Sequence, residues 1–121
     1  MVRWRASPAW TTAALSKIAC GVEGSWKYWG VAGGVNGMMY FAPYSASEVL
    51  VIDSATGACS TIPCGVTGEE KWSGIAAGPD NMLYCCPYNA SVVLVIDPVN
   101  GTCSTIPCGV KGSYKWIGIT A

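Results

Sequence analysis

Histidine is absent from the chain. That removes the side chain that most often serves as general base or metal ligand near neutral pH. Charge is scarce as well. Asp, Glu, Lys and Arg make up 12% of the residues, about half the usual share. Seven bases balance seven acids, so no basic excess is available for a nucleic-acid groove or an anionic membrane. Long apolar runs are missing too: the longest aliphatic stretch is 92–96, where a spanning helix needs about 20 residues. The seven cysteines contain no C-x-x-C pair, which leaves a zinc site without its usual spacing. What the chain has in quantity is apolar content, 51%, interrupted throughout by 15 glycines and 7 prolines. High hydrophobicity with low charge excludes disorder, and the frequent breakers indicate a globular chain of short elements.

The 121 residues carry an internal repeat. Cys20-Gly21-Val22 recurs as Cys64-Gly65-Val66 and as Cys108-Gly109-Val110, and Lys27, Lys71 and Lys115 follow in register. Every offset is 44, and 25 of 44 positions are identical between 27–70 and 71–114, without insertion. Each repeat holds four short apolar segments, in the second copy 71–77, 82–86, 91–96 and 102–106, separated by turn formers. Their β-branched and aromatic content and 8–12-residue spacing predict strands, and no segment sustains a helical period. Asp97-Pro98-Val99-Asn100-Gly101 reads as a hairpin turn, with glycine supplying the positive φ. The equivalent turn in the earlier repeat is 53–57.

Four antiparallel strands at a period of 40–50 residues are the signature of a β-propeller blade. One four-stranded sheet cannot bury both faces alone, and stacking blades about an axis buries them in turn. The third strand, Val93-Leu94-Val95-Ile96, is apolar on both faces, as a sheet sandwiched between neighbours requires. The first strand is rich in small residues (Gly74, Ala76 and Ala77; Gly30, Ala32, Gly33 and Gly34), which suits the crowded position next to the axis. The fold class expected is therefore all-β, a partial β-propeller of four-stranded antiparallel blades.

Particular motifs sharpen this. Val93-Leu94-Val95-Ile96-Asp97, followed by Gly101-Thr102-Cys103-Ser104-Thr105-Ile106-Pro107, resembles the third-to-fourth-strand half of YVTN-type propeller repeats. Gly74-Ile75-Ala76-Ala77-Gly78-Pro79-Asp80-Asn81-Met82-Leu83-Tyr84 resembles the first half of NHL-type blades. The resemblance covers both complete repeats and implies the fold. It says little of function, because propellers host binding proteins, lyases, hydrolases and redox enzymes alike. The chain departs from lyase-type relatives in having no histidine and no pair of carboxylates at one site.

The cysteines read as small buried hydrophobes. Cys59/Cys64 and Cys103/Cys108 lie five apart and would face opposite sides of a regular strand, so bridging within a strand is disfavoured. Cys85-Cys86 has no counterpart in the earlier repeat, where Phe41-Ala42 stands. An odd set of unpaired thiols favours a reducing compartment, hence the cytoplasm. Asn89-Ala90-Ser91 and Asn100-Gly101-Thr102 nevertheless fit the glycosylation sequon, and residues 1–14 lack the apolar core of a signal peptide.

The repeats agree in their strands and differ in certain loops, where binding residues concentrate. The loop between the fourth strand and the next first strand reads Glu23-Gly24-Ser25-Trp26, then Thr67-Gly68-Glu69-Glu70, then Lys111-Gly112-Ser113-Tyr114. It shares a rim with the second-to-third-strand loop, which contributes Tyr44 and Tyr88. The expected ligand site is therefore Trp26, Tyr44, Tyr88 and Tyr114, flanked by Glu69, Glu70 and Lys111. Exposed aromatics give large contact area at low entropic cost. The bland alternative is that Tyr44 and Tyr88 pack onto the neighbouring blade. Lys27, Lys71 and Lys115 read as solvated strand ends whose stems cover an adjacent aromatic ring, the alternative being a ring of charge at the mouth of the axial channel that attracts an anion. No catalytic residue, metal ligand or cofactor is indicated.

The function expected is a non-catalytic module, a scaffold for a protein, peptide or glycan. The alternatives are a piece of a propeller hydrolase or lyase using Asp53, Asp97, Glu69 or Glu70, and a purely structural repeat. Divided by 44, the chain amounts to 2.75 blades. Residues 1–14 lie outside the pattern, 15–26 hold the last strand of a partial blade and its loop, 27–70 and 71–114 are two full blades, and 115–121 is a further first strand. Since a ring needs about four blades, the chain is expected to be a fragment or to assemble as a homo-oligomer through blade faces and terminal strands. No nucleic-acid or membrane partner is expected.

Overall fold

The computed structural model describes residues 18–110 together with Gly112, Lys115, Trp116, Gly118 and Ile119. These residues form two four-stranded antiparallel sheets. Blade 1 contains β1 (Tyr28–Gly33), β2 (Met38–Pro43), β3 (Glu48–Asp53) and β4 (Cys59–Pro63). Blade 2 contains β5 (Trp72–Ala77), β6 (Leu83–Pro87), β7 (Val92–Asp97) and β8 (Thr102–Pro107). In both sheets the strands follow one another in sequence order, so every connection is a local hairpin. The fold class is all-β, and the chain is a partial β-propeller whose sheets do not close on themselves.

The turns behave as their residues require. Gly57 and Gly101 sit at φ of 76° and 66°. Their N–H groups donate to Asp53 O and Asp97 O at 2.7 and 2.8 Å. The Asp97 carboxylate also receives the N–H groups of Val99 and Asn100, a local bonding pattern typical of Asx turns. In the β1–β2 and β5–β6 loops, Gly34 and Gly78 lie against the rings of Tyr40 and Tyr84. A Cβ at either glycine would meet the ring at 2.8 or 2.7 Å.

The two sheets pack face to face. Their shared core is Tyr40, Ala42, Val49, Val51 and Cys64 from blade 1 with Trp72, Ile75, Leu83, Cys85, Leu94 and Ile96 from blade 2. The innermost strands β1 and β5 approach each other most closely. A Cβ on Gly30, at φ of 95°, would stand 3.3 Å from Gly74 Cα, which accounts for the small residues there. Both strands carry a register shift, between Tyr28 and Val31 and between Trp72 and Ile75, so a bulge recurs at the same repeat position.

Residues 1–14 lie outside the described residues, as does part of each segment assigned to a partial blade. The described parts, 18–26 and Lys115, Trp116, Gly118 and Ile119, form no strand. Among the described residues no helix is long and apolar enough to cross a membrane.

Candidate functional site

The rim carrying the β2–β3 and β4–β5 loops is tied together by one backbone relay. Tyr44 N–H donates to Lys27 O at 2.9 Å, and Lys71 N–H donates to Tyr44 O at 2.6 Å. Tyr88 N–H donates to Lys71 O at 2.8 Å, and Lys115 N–H donates to Tyr88 O at 2.9 Å. Lys71 thus joins the β2–β3 loop of blade 1 to the β6–β7 loop of blade 2, and Lys27 and Lys115 each bond one of these loops at the same repeat position.

Lys71 goes further. It is only 2% exposed, which corrects the expectation of a solvated strand end. Its Nζ donates to Ala46 O at 2.6 Å and to Gly68 O at 2.9 Å, and it lies 5.9 Å from the centre of the Trp72 ring. Burial pulls the ammonium below its ordinary value, while Cys64 acts the other way. Lys27 Nζ reaches Val22 O and Lys115 Nζ reaches Gly112 O. All three lysines thus donate to loop carbonyls, Lys71 from a buried position.

The relay fixes the aromatic side chains above it. Tyr44 and Tyr88 lie 5.6 Å apart, centroid to centroid, and Trp29 completes a three-ring cluster, 4.9 Å from Tyr44 and 6.1 Å from Tyr88. Tyr44 is buried, Tyr88 is half-buried, and Trp29 is 40% exposed. Trp29 sits in the β1 bulge. It has Ser73 and Ile117 as repeat equivalents, and that departure from the repeat is the signal by which sequence reasoning could have found it. Among the described residues Trp26 is the most exposed rim aromatic, at 77%. It and Glu70, its repeat equivalent, both adopt φ of 53°, a left-handed conformation that costs a non-glycine residue about 1 kcal/mol or more.

Glu70 is held in place. Its N–H donates to Ser45 Oγ, its carbonyl accepts Asn89 N–H at 3.0 Å, and its Oε1 accepts Asn89 Nδ2 at 3.3 Å. Glu69 is exposed. Of the seven residues named from sequence, the structure places Trp26, Tyr44, Glu69, Glu70 and Tyr88 on this rim. Lys111 and Tyr114 lie outside the described residues.

The acids do not converge. Asp53 and Asp97 end β3 and β7 and open the hairpin turns to β4 and β8, at the opposite rim from Glu69 and Glu70. Among the described residues no group of three or more Cys, Asp or Glu is placed to hold a metal ion. All seven cysteines are free, and Cys64, Cys85 and Cys86 are buried. Burial pushes the Cys85, Cys86 and Cys103 thiols up, Cys103 to about 11, so they remain protonated and poorly nucleophilic near neutral pH.

No protein-family model and no curated protein matches the chain. Solved structures do. Virginiamycin B lyase from Staphylococcus aureus is similar with a TM-score of 0.66 and 19% identity over 82% of this chain and 33% of the lyase. A streptogramin B lyase gives 0.60 and 17% over 71% of this chain and 28% of that one. Hydrazine synthase from Kuenenia stuttgartiensis gives 0.59 and 17% over 82% of this chain and 27% of that one. The chain thus spans about a third of the length of the lyase. At these identities the likeness is one of fold alone: two blades of an unclosed β-propeller.

Proposed function

We propose that this chain is a non-catalytic β-propeller repeat module, built of YVTN- and NHL-like blades, that binds a protein, peptide or glycan at the rim. The observation that carries the reading is the half-exposed Trp29 ring set edge-on to Tyr44 and tilted against Tyr88. Tyr44 forms the buried back of this cluster, Trp29 and Tyr88 offer its contact surface, and Trp26 is exposed elsewhere on the rim. An exposed indole or phenol face in such a cluster takes the apolar face of a sugar ring or an aromatic or proline side chain. Glu69 and Glu70 add acceptors at its edge.

The fold likeness to lyases is the ground for a second reading, a piece of a propeller enzyme. One solved lyase is a histidine-to-alanine variant described as catalytically inactive. This chain has no histidine, and Asp53 and Asp97 stand on the opposite rim from Glu69 and Glu70. The separation of these acids favours the binding reading.

Glycan and peptide arrays probed with the labelled chain test the proposal. Ligands recovered by the intact chain should lose at least tenfold in affinity with Trp29→Ala and less with Trp26→Ala. Ligands bound by both variants as tightly as by the intact chain would refute the rim as the site.

A further inference from the structure

The two outer faces of the blade pair are the missing halves of the interface already inside the chain. Within the chain, blade 1 presents Tyr40 and Val49 to a blade 2 face containing Ile75 and Leu83, and all four are buried. Shifting these positions by 44 residues gives the outer faces. Val31 takes the place of Ile75 and is 44% exposed where Ile75 is 8%. Met39 takes the place of Leu83 and is 37% exposed where Leu83 is 0%. On the far side of blade 2, Tyr84 and Val93 take the places of Tyr40 and Val49 and are half-buried. A cleft of about 500 Å³ lined by Tyr28, Val31, Phe41 and Leu50 marks the open face of blade 1.

We propose that these two faces dock on each other between copies of this chain, head to tail, each junction repeating the step that joins blade 1 to blade 2. The repeat itself specifies the occupant. With 25 of 44 positions identical, a second copy brings the matching half to each open face.

The described residues of 115–119 show how the incoming blade is received. Lys115 N–H bonds Tyr88 O as Lys71 N–H bonds Tyr44 O, and Ser73 Oγ donates to Trp116 O at 2.7 Å. This segment lies where β1 of the second copy belongs. It gives way because a whole blade face buries more apolar surface against blade 2 than these few residues do, and Lys27 N–H then takes the bond to Tyr88 O. The interface is heterologous: opposite faces meet, so copies add in series until the ring closes.

Two variants test this, each charging one face at a solvent-reaching position: Val31→Glu on blade 1 and Val93→Glu on blade 2. Circular dichroism and urea midpoints establish that both fold. In sedimentation velocity across the micromolar range, the intact chain should associate. Each variant alone should sediment as a monomer, and the two mixed should form a one-to-one pair. A monomeric intact chain throughout the range overturns the proposal and leaves the faces to blades of another origin. So does a Val93→Glu or Val31→Glu variant that still pairs with itself, because that requires like faces to meet. A mixture that stays monomeric overturns it as well.

Discussion

Leu83 and Met39 occupy the same position in the two repeats, yet one faces a neighbouring blade and the other does not. Leu83 is fully buried and Met39 is 37% exposed. Truncating Leu83 to Ala removes a branched side chain from a closed core and leaves a cavity, which costs about 3 kcal/mol. Met39 has no facing sheet. Its truncation loses only the partial burial against its own blade, about 1 kcal/mol at the usual value per unit of apolar area. Urea unfolding of Leu83→Ala and Met39→Ala at sub-micromolar protein, where association is suppressed, should therefore separate them by about 2 kcal/mol, with unchanged slopes. Equal costs would refute the reasoning, because they would mean that both faces are covered within a single chain. Repeating the measurement at high protein concentration should raise the Met39→Ala cost toward that of Leu83→Ala, since association then buries the site.

Lys71→Met keeps the aliphatic stem but strands Ala46 O and Gly68 O. Hydrogen bonds to a charged group are worth about 1.5–3 kcal/mol each, part of which is offset by no longer burying an ammonium. A net loss of about 2 kcal/mol is expected in urea melts, against under about 1 kcal/mol for the less buried Lys115→Met. Equal losses would show that burial of Lys71 carries no energetic weight. Stability should also fall at alkaline pH. Tyr28 is raised from 10.0 to about 12 and Cys103 from 9.0 to about 11, both chiefly by burial. Groups raised in the folded state hold protons that the unfolded chain releases, so their contribution is complete below pH 9 and is lost between about 9 and 12. The lowered Lys71 acts in the opposite sense, gaining stability up to its unfolded value of 10.5, but it is one group against several. Urea midpoints under reducing conditions should be flat from pH 6 to 8 and fall above 9, less steeply in Cys103→Ala. A midpoint rising from pH 9 to 11 would contradict this balance.

The architecture was legible because its signals are local and repeated. Turn residues such as Asp97 and Gly101, and β-branched runs such as 92–96, bound strands by their own backbone preferences. A segment read as 71–77 appears as Trp72–Ala77, and one read as 102–106 appears as Thr102–Pro107. The period of 44 then multiplies each such signal. The rim was legible only in part. The loop that differs between repeats pointed to Trp26 and Glu70 on this rim, but Trp29 sits in a strand and reaches the rim through a bulge that no motif announces.

What the sequence determined by itself is therefore the blade: four strands, their order, their turns and the small residues of the innermost strand. Tertiary structure alone decided which copy of each residue is buried. Lys27 and Lys71 are the same residue at the same repeat position. Lys71 is enclosed because a blade stands on either side of it, while Lys27 has a blade on one side only. Val31 and Ile75 differ in the same way. Local backbone preference repeats with the sequence, whereas burial depends on which neighbour is present, and that is a property of the assembled sheets.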